Sequence, residues 1–168
     1  MASLDSPRVS FTWPDGSPPE GFRDLQSDLE TLILKSRTTI ELIAYDINTH
    51  SDFLLNQAIE HVIQRFKPEI RVYADNMKPI KHIRKMYAGM GSRIRAWTWD
   101  KKGHDFSKMH IKSILVNGRH LYLGSANFSK SAMGVNAECG LFFDSKEQVK
   151  RFREYLELLV DSGRLVEV

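Results

Sequence analysis

The sequence predicts an α/β domain in which a mixed β-sheet is flanked by helices on both faces. Three observations carry that expectation. Nearly continuous apolar, β-branched runs alternate with stretches of helical period between Phe22 and Thr98. The dipeptide Asn117-Gly118 joins two further strand-like runs and marks a tight antiparallel hairpin. A chain of 168 residues has room for one well-buried core and not for two catalytic domains.

The elements follow in order. A short strand around Val9–Phe11 leads into a Pro/Gly loop, Pro14-Asp15-Gly16-Ser17-Pro18-Pro19. Phe22, Leu25, Leu29, Leu32 and Ile33 fall at helical spacing, and Thr39–Tyr45 then reads as a strand covered on both faces. Leu54, Leu55, Ala58, Ile59, Val62, Ile63 and Phe66 mark a second helix, stopped by Pro68, before a strand at Ile70–Ala74. A helix over Pro79–Met90 and a strand at Arg93–Thr98 come next. Strands His110–Val116 and His120–Gly124 form the hairpin, Glu138–Phe143 reads as another strand, and Lys146–Ser162 as a closing helix with Val149, Phe152, Leu156, Leu159 and Val160 inward. Residues 1–19 are thus expected to form an N-terminal strand and loop, and residues 20–168 a single domain.

Composition excludes several function classes. One thiol, Cys139, cannot form an internal disulfide, so a stapled secreted scaffold is excluded and a reducing cytoplasm is expected; Cys139 itself reads as inert core. Met1–Trp13 has no apolar run of the kind a leader needs, and no later stretch reaches the ~18 apolar residues of a membrane span. The net charge of +3 is too small to name a partner. Its distribution says more: Lys78, Lys81, Arg84, Lys85, Arg93, Arg95, Lys101, Lys102 and Lys108 crowd one segment that holds only Asp100 and Asp105 in opposition.

That segment leads into His110-Ile-Lys112. Residues two apart on a strand share a face, so an imidazole and an ammonium stand side by side, and the hairpin returns Gly124-Ser125-Ala-Asn127 beside them. A nucleophile or base, a fixed positive charge and an amide donor at one point suit phosphoryl transfer, which depends on positioning and on stabilising charge on the equatorial oxygens. Gly124 allows backbone to approach a ligand closely, and Ser125 is expected to shape the turn or donate a supporting hydrogen bond.

The pattern resembles the phospholipase D superfamily, whose signature is His-x-Lys, four residues, Asp, six residues, then Gly-Ser-x-Asn. His110, Lys112, Gly124, Ser125 and Asn127 match at the family's spacing; Asn117 stands where the family has Asp. Ile40–Asp46, a helix and Ile70–Asp75 resemble the family's lead-in, and Asn136-Ala-Glu138 its downstream Asn-x-Glu, so that residues 20–160 are covered. The resemblance implies a phospholipase D-like fold and a metal-independent phosphodiesterase working through a covalent phosphohistidine. His110 would attack phosphorus, Lys112 and Asn127 would hold the nonbridging oxygens, and Glu138 would orient His110 by accepting from its other ring nitrogen. The family joins two motifs across a twofold axis, one His as nucleophile and the other as acid; with one motif here, a homodimer is implied. The family's Asp is structural and Asn-Gly suits a type I′ turn, so Asn117 is expected to be tolerated.

The cationic approach favours nucleic acid, DNA or RNA, as substrate, with Lys101, Lys102, Lys108, Arg93 and Arg95 as candidate phosphate contacts and Trp97 and Trp99, with Tyr87 and Phe106 interleaved among the same charges, as candidate base-stacking residues. Trp97 and Trp99 alternate along one strand, so at least one is expected in the core. The chain resembles the small dimeric bacterial nucleases of the superfamily. Two other readings stand beside it: a phospholipase D-type lipid hydrolase or phosphatidyl transferase, which would want an apolar membrane-facing surface, and a catalytically silent nucleic-acid-binding module, for which Asn117 is the argument. No membrane partner and no cofactor are implied. Metal chemistry is not expected, because His104, His110 and His120 lack recognisable ligand partners and Lys112 would repel a cation.

Overall fold

The structure is a computed structural model in which residues 6–14, 16–47 and 54–168 are described. Met1–Asp5, used above in the argument against a leader, and Asp15 of the Pro/Gly loop lie outside the described residues.

The elements are β1 (Arg8–Phe11), α1 (Leu25–Leu34), β2 (Thr39–Ala44), α2 (Leu54–Phe66), β3 (Glu69–Ala74), α3 (Met77–Met86), β4 (Ile94–Trp99), β5 (Ser113–Val116), β6 (His120–Gly124), α4 (Lys130–Gly134), β7 (Cys139–Phe143), α5 (Lys146–Asp161) and β8 (Leu165–Glu167). The strands make one eight-stranded sheet in the order β1-β7-β6-β5-β2-β3-β4-β8. β2, β3 and β4 are parallel, as strands joined by crossover helices must be, whereas β5, β6, β7 and β1 pair antiparallel in succession and β8 pairs antiparallel with β4. The sheet is mixed and helices cover both faces.

Strand alternation divides the core. Ile40, Leu42 and Ala44 of β2 and Ile70, Val72 and Ala74 of β3 face a large cluster completed by α1, α2, α3 and α4. Ile43, Tyr73 and Trp97 point to the other face, where Leu156 and the partly buried Phe152, Leu159 and Val160 of α5 meet them. Leu115, Leu121 and Val149 form a smaller cluster under the same helix. Glu41 shares the α5 face and is buried; it accepts from the Tyr73 hydroxyl at 3.3 Å and lies 3.7 Å from the Arg71 guanidinium. Burial pushes its pKa up against the pull of Arg71 and Arg153.

The departures from the sequence reading are local. α1 starts at Leu25 rather than Phe22 because Asp24 caps it, accepting from the Ser27 amide at 2.8 Å; Phe22 stays 58% exposed and packs edge-on against Phe11 at 5.6 Å. β8 and α4 have three and five residues, too short for a periodic pattern to register. The first hairpin strand begins at Ser113, so His110 and Lys112 lie in its extended lead-in rather than in the strand. Cys139 is exposed, not core: it opens β7, whose burial alternates, on the outward side.

The depth of the α5 contact is directly testable. Leu156→Ala should cost about 2–5 kcal/mol in chemical denaturation, while Leu158→Ala, at a position 65% exposed, should stay within about 0.5 kcal/mol of wild type. Equal costs would mean that α5 packs through a different face.

Candidate active site

The C-terminal ends of β2, β3 and β4 lie at the same edge of the sheet as the start of β5 and the end of β6. In open α/β sheets that edge is where ligands bind. His110 and Lys112 arrive there from the loop after β4, and the last ladder bond, from the Gly124 amide to the Lys112 carbonyl at 3.1 Å, holds the two halves of the motif side by side. His110 is exposed. Lys112 is 6% exposed, and its Nζ sits 3.0 Å from His110 Nδ1 while donating to the His110 carbonyl at 2.9 Å. Burial lowers the Lys112 pKa from the ordinary lysine value, against the opposing pull of the Glu138 carboxylate. The result is a cation prepaired with an exposed imidazole and poor in water, ready for an anionic oxygen.

Ser125 and Glu138 close the other side. The Ser125 hydroxyl donates to Glu138 Oε2 and accepts from the Cys139 amide at 3.2 Å; Asn136 donates to Glu138 Oε1 at 3.2 Å. Ser125 therefore supports the turn, as its place in the sequence suggests. Glu138, however, does not bond His110 in the single chain: its oxygens serve Ser125 and Asn136, and Lys112 holds Nδ1 instead. Asn127 is half-buried in the turn after Ser125, with an Oδ1 that has no partner among the described residues. The next residue, Phe128, donates its amide to the Asp46 carbonyl at 3.3 Å, which ties this turn to the end of β2.

Gly124 is required by packing rather than by ligand approach. A Cβ there would lie 2.6 Å from Tyr122 Cζ and 2.7 Å from the Cys139 carbonyl, and one on its cross-strand partner Gly140 would meet the same ring. The fully buried Tyr122 thus fills the space that two opposed glycines vacate, directly beneath the site.

Asn117 lies at the opposite end of β5, a strand length of about 13 Å from the site. Its Oδ1 accepts from the Arg37 amide at 2.9 Å and the Thr38 amide at 3.0 Å, and its Nδ2 donates to the Lys35 carbonyl at 2.9 Å. With φ of 54° at Asn117 and 62° at Gly118 the pair forms the expected type I′ turn. The residue clamps the loop between α1 and β2, and its amide makes a bond that a carboxylate cannot.

Of the candidate substrate contacts, Lys108 joins the site: its Nζ lies over the Tyr45 ring at 5.3 Å, and that ring is 5.4 Å from the His110 ring. Lys101 and Lys102 are exposed on the loop after β4. The others are not brought there. Arg93 precedes β4 at the far edge of the sheet. Arg95 forms a two-pronged ion pair with Glu167 at 2.8 and 2.9 Å, because β8 pairs beside it. Trp97 is 5% exposed and stacks on Tyr73 at 4.6 Å, so it is core. Trp99 is half-buried and its indole donates to Ser107 at 3.1 Å.

Sequence reasoning missed three supports. Tyr45 and Asp75 are the first residues beyond β2 and β3; Asp75 accepts from the Met109 amide at 2.8 Å and so fixes the lead-in to His110. Their position after two parallel strands was the available signal. Thr12, buried after β1, donates to the Asn136 carbonyl at 2.7 Å and accepts from the Glu138 amide at 2.8 Å, and no local pattern announces it. A mainly apolar groove of about 770 Å³, lined in part by Trp13, Phe22 and Pro18, opens beside Ser125 and Glu138.

Residues 29–160 match the family described as cardiolipin synthase, PLD-like domain. The chain belongs to that PLD-like family. The family is one of phosphodiester-acting enzymes. The PLD-like domain is similar in fold to Nuc from Salmonella typhimurium, a phospholipase D family member, at 18% identity over 98% of each chain with a TM-score of 0.69. It is similar to NucT from Helicobacter pylori at 21% identity, 97% and 100% coverage and a TM-score of 0.66. The match to phosphatidylserine synthase from Haemophilus influenzae, 15% identical with a TM-score of 0.73, takes in 100% of this chain and 41% of that one. No curated protein matches the sequence.

Two substitutions separate scaffold from chemistry. Gly124→Ala should destabilise the domain by more than about 2 kcal/mol, since Tyr122 cannot give way without moving Phe142 and Gly140. Asn117→Asp, which forfeits only the bond to Lys35, should cost about 1 kcal/mol in denaturation and leave turnover per folded molecule unchanged. A large change in turnover for Asn117→Asp would place the residue in the chemistry after all.

Proposed function

We propose that this PLD-like domain is a metal-independent nuclease that cleaves DNA or RNA through a phosphohistidine on His110, at a site shared by two copies of the chain. The observation that carries the reading is the contact of the buried Lys112 ammonium with the exposed His110 ring, on a turn that also presents Ser125, Asn127 and Glu138.

The chemistry runs as follows. A bound phosphodiester gives Lys112 an anionic oxygen in exchange for His110 Nδ1, and Asn127 supports a second nonbridging oxygen. In the free ring Nδ1 accepts from the Lys112 ammonium and the proton sits on Nε2. Once Lys112 is withdrawn, that proton passes through solvent to Nδ1, and the freed Nε2 lone pair attacks phosphorus as the P–O bond to the leaving nucleotide breaks. His110 of the partner subunit protonates that leaving oxygen, then takes a proton from the water that hydrolyses the P–N bond. Glu138 is the carboxylate available to orient a histidine once substrate rearranges the site. The second copy is required because each chain offers one such histidine.

Nucleic acid is favoured as substrate because Lys101, Lys102 and Lys108 stand exposed on the loop that delivers His110, where cations raise the local concentration of a polyanion. Among the described residues no helix is long and apolar enough to cross a membrane.

The test is incubation of wild type and His110→Ala, in chelator, with single- and double-stranded DNA, RNA and a phospholipid. Nucleic-acid cleavage lost in the variant is expected; lipid turnover, or binding without cleavage, would contradict the reading. The lowered Lys112 pKa sets the alkaline limb: activity needs the ammonium, so it should fall as pH rises through a value below that of free lysine. A rate that holds undiminished up to the ordinary lysine range would show that Lys112 does not act as a cation.

A further inference from the structure

Four aromatic side chains are interleaved with the charges between Lys78 and Lys108, and the fold sorts them. Tyr87 is 1% exposed and Trp97 5%; Trp99 is half-buried with its indole bonded. Phe106 is 96% exposed. A single exposed apolar residue is ordinary on a protein surface. What sets this one apart is the loop that carries it.

That loop is braced along its length. The Lys102 amide donates to Asp100 Oδ1 at 2.9 Å, the His104 amide to the Lys101 carbonyl at 2.9 Å, and the Ser107 amide to the His104 carbonyl at 2.8 Å. Lys101 Nζ donates to the Asp105 carbonyl at 2.9 Å, and Arg164 to the Lys101 carbonyl at 3.0 Å. The exposed ring therefore belongs to a preorganised loop, and binding through it costs little ordering entropy. Its distance from the chemistry is short: the backbone from Phe106 to His110 reaches at most about 14 Å, with Lys108 between them beside Tyr45.

Resting on the nuclease reading above, we infer that Phe106 is a base-stacking residue that receives an unpaired base a few nucleotides from the scissile phosphodiester, and so makes single-stranded nucleic acid the preferred substrate. Lys101, Lys102 and Lys108 hold the backbone phosphates on either side. A lone ring can stack only on an exposed base face, and the bases of a duplex offer theirs to one another. A bilayer is the poorer match, because membrane docking needs a broad apolar face and the neighbours of Phe106 are Asp105 and Ser107.

The experiment compares Phe106→Ala and Phe106→Trp with wild type on a short single-stranded oligonucleotide, the same sequence as duplex, bis(4-nitrophenyl) phosphate, and vesicles of phosphatidylglycerol. Loss of one base stack should lower kcat/KM on the single strand by roughly 5- to 100-fold in the Ala variant. Phe106→Trp should keep wild-type values, and the small diester and the duplex should change little. Equal kcat/KM for Ala variant and wild type on the single strand, an equal loss on every substrate, or a loss of vesicle binding instead would overturn the inference. If wild type cleaves no nucleic acid, the nuclease reading itself fails and takes this inference with it; if wild type cleaves and Phe106→Ala matches it, stacking alone is wrong.

Discussion

The register of the β5–β6 hairpin governs the site. Asn117 and Gly118 both adopt positive φ, and the turn they form pairs Val116 with His120 and Ser113 with Leu123. Counting back to the other end, Lys112 meets Gly124 through the final ladder bond. A slip of one residue in β6 would turn Leu121 out of the α5 face, away from Leu115, and carry Ser125 away from Lys112 at the same time. The motif's fixed spacing is therefore the length of two short strands and their turn, and Asn117 holds that length and anchors it to the loop before β2.

Two further constraints make the strand ends rigid enough to be useful. Tyr122 fills the volume opposite Gly124 and Gly140, so the backbone on which Ser125 stands rests on a packed ring. Thr12 grips the Asn136–Glu138 segment from the edge strand with a bond given and a bond received. On this floor Lys112 is held nearly out of water, where a charge counts for more than it does in solvent, as the proposed role against a phosphoryl group requires. The contact between Lys112 and His110 describes the free chain; substrate would replace it.

Much of this was legible in the sequence because it depends on local pattern. The parallel strands read as apolar runs, α2 and α5 as helical stripes, and the hairpin as Asn-Gly. His110, Lys112 and Ser125 stand out by their spacing and Glu138 by resemblance, and the hairpin and the strand after it bring all four to one edge of the sheet. What was not legible depends on tertiary partners. Trp97 and Arg95 look like a substrate surface until Tyr73 stacks on one and β8 delivers Glu167 to the other. Gly124 looked like room for a ligand, and only the fold shows the ring that occupies the space. Glu138 was assigned to His110 from resemblance, whereas the single chain commits it to Ser125 and Asn136.

The central claim of the proposal is that two copies of His110 serve one phosphodiester. Mixing wild type with His110→Ala at constant total protein, after time for subunits to exchange, tests it directly. Activity on nucleic acid should fall as the square of the wild-type fraction, because only dimers with both histidines turn over. A linear fall would show that each chain works alone and would contradict the shared site.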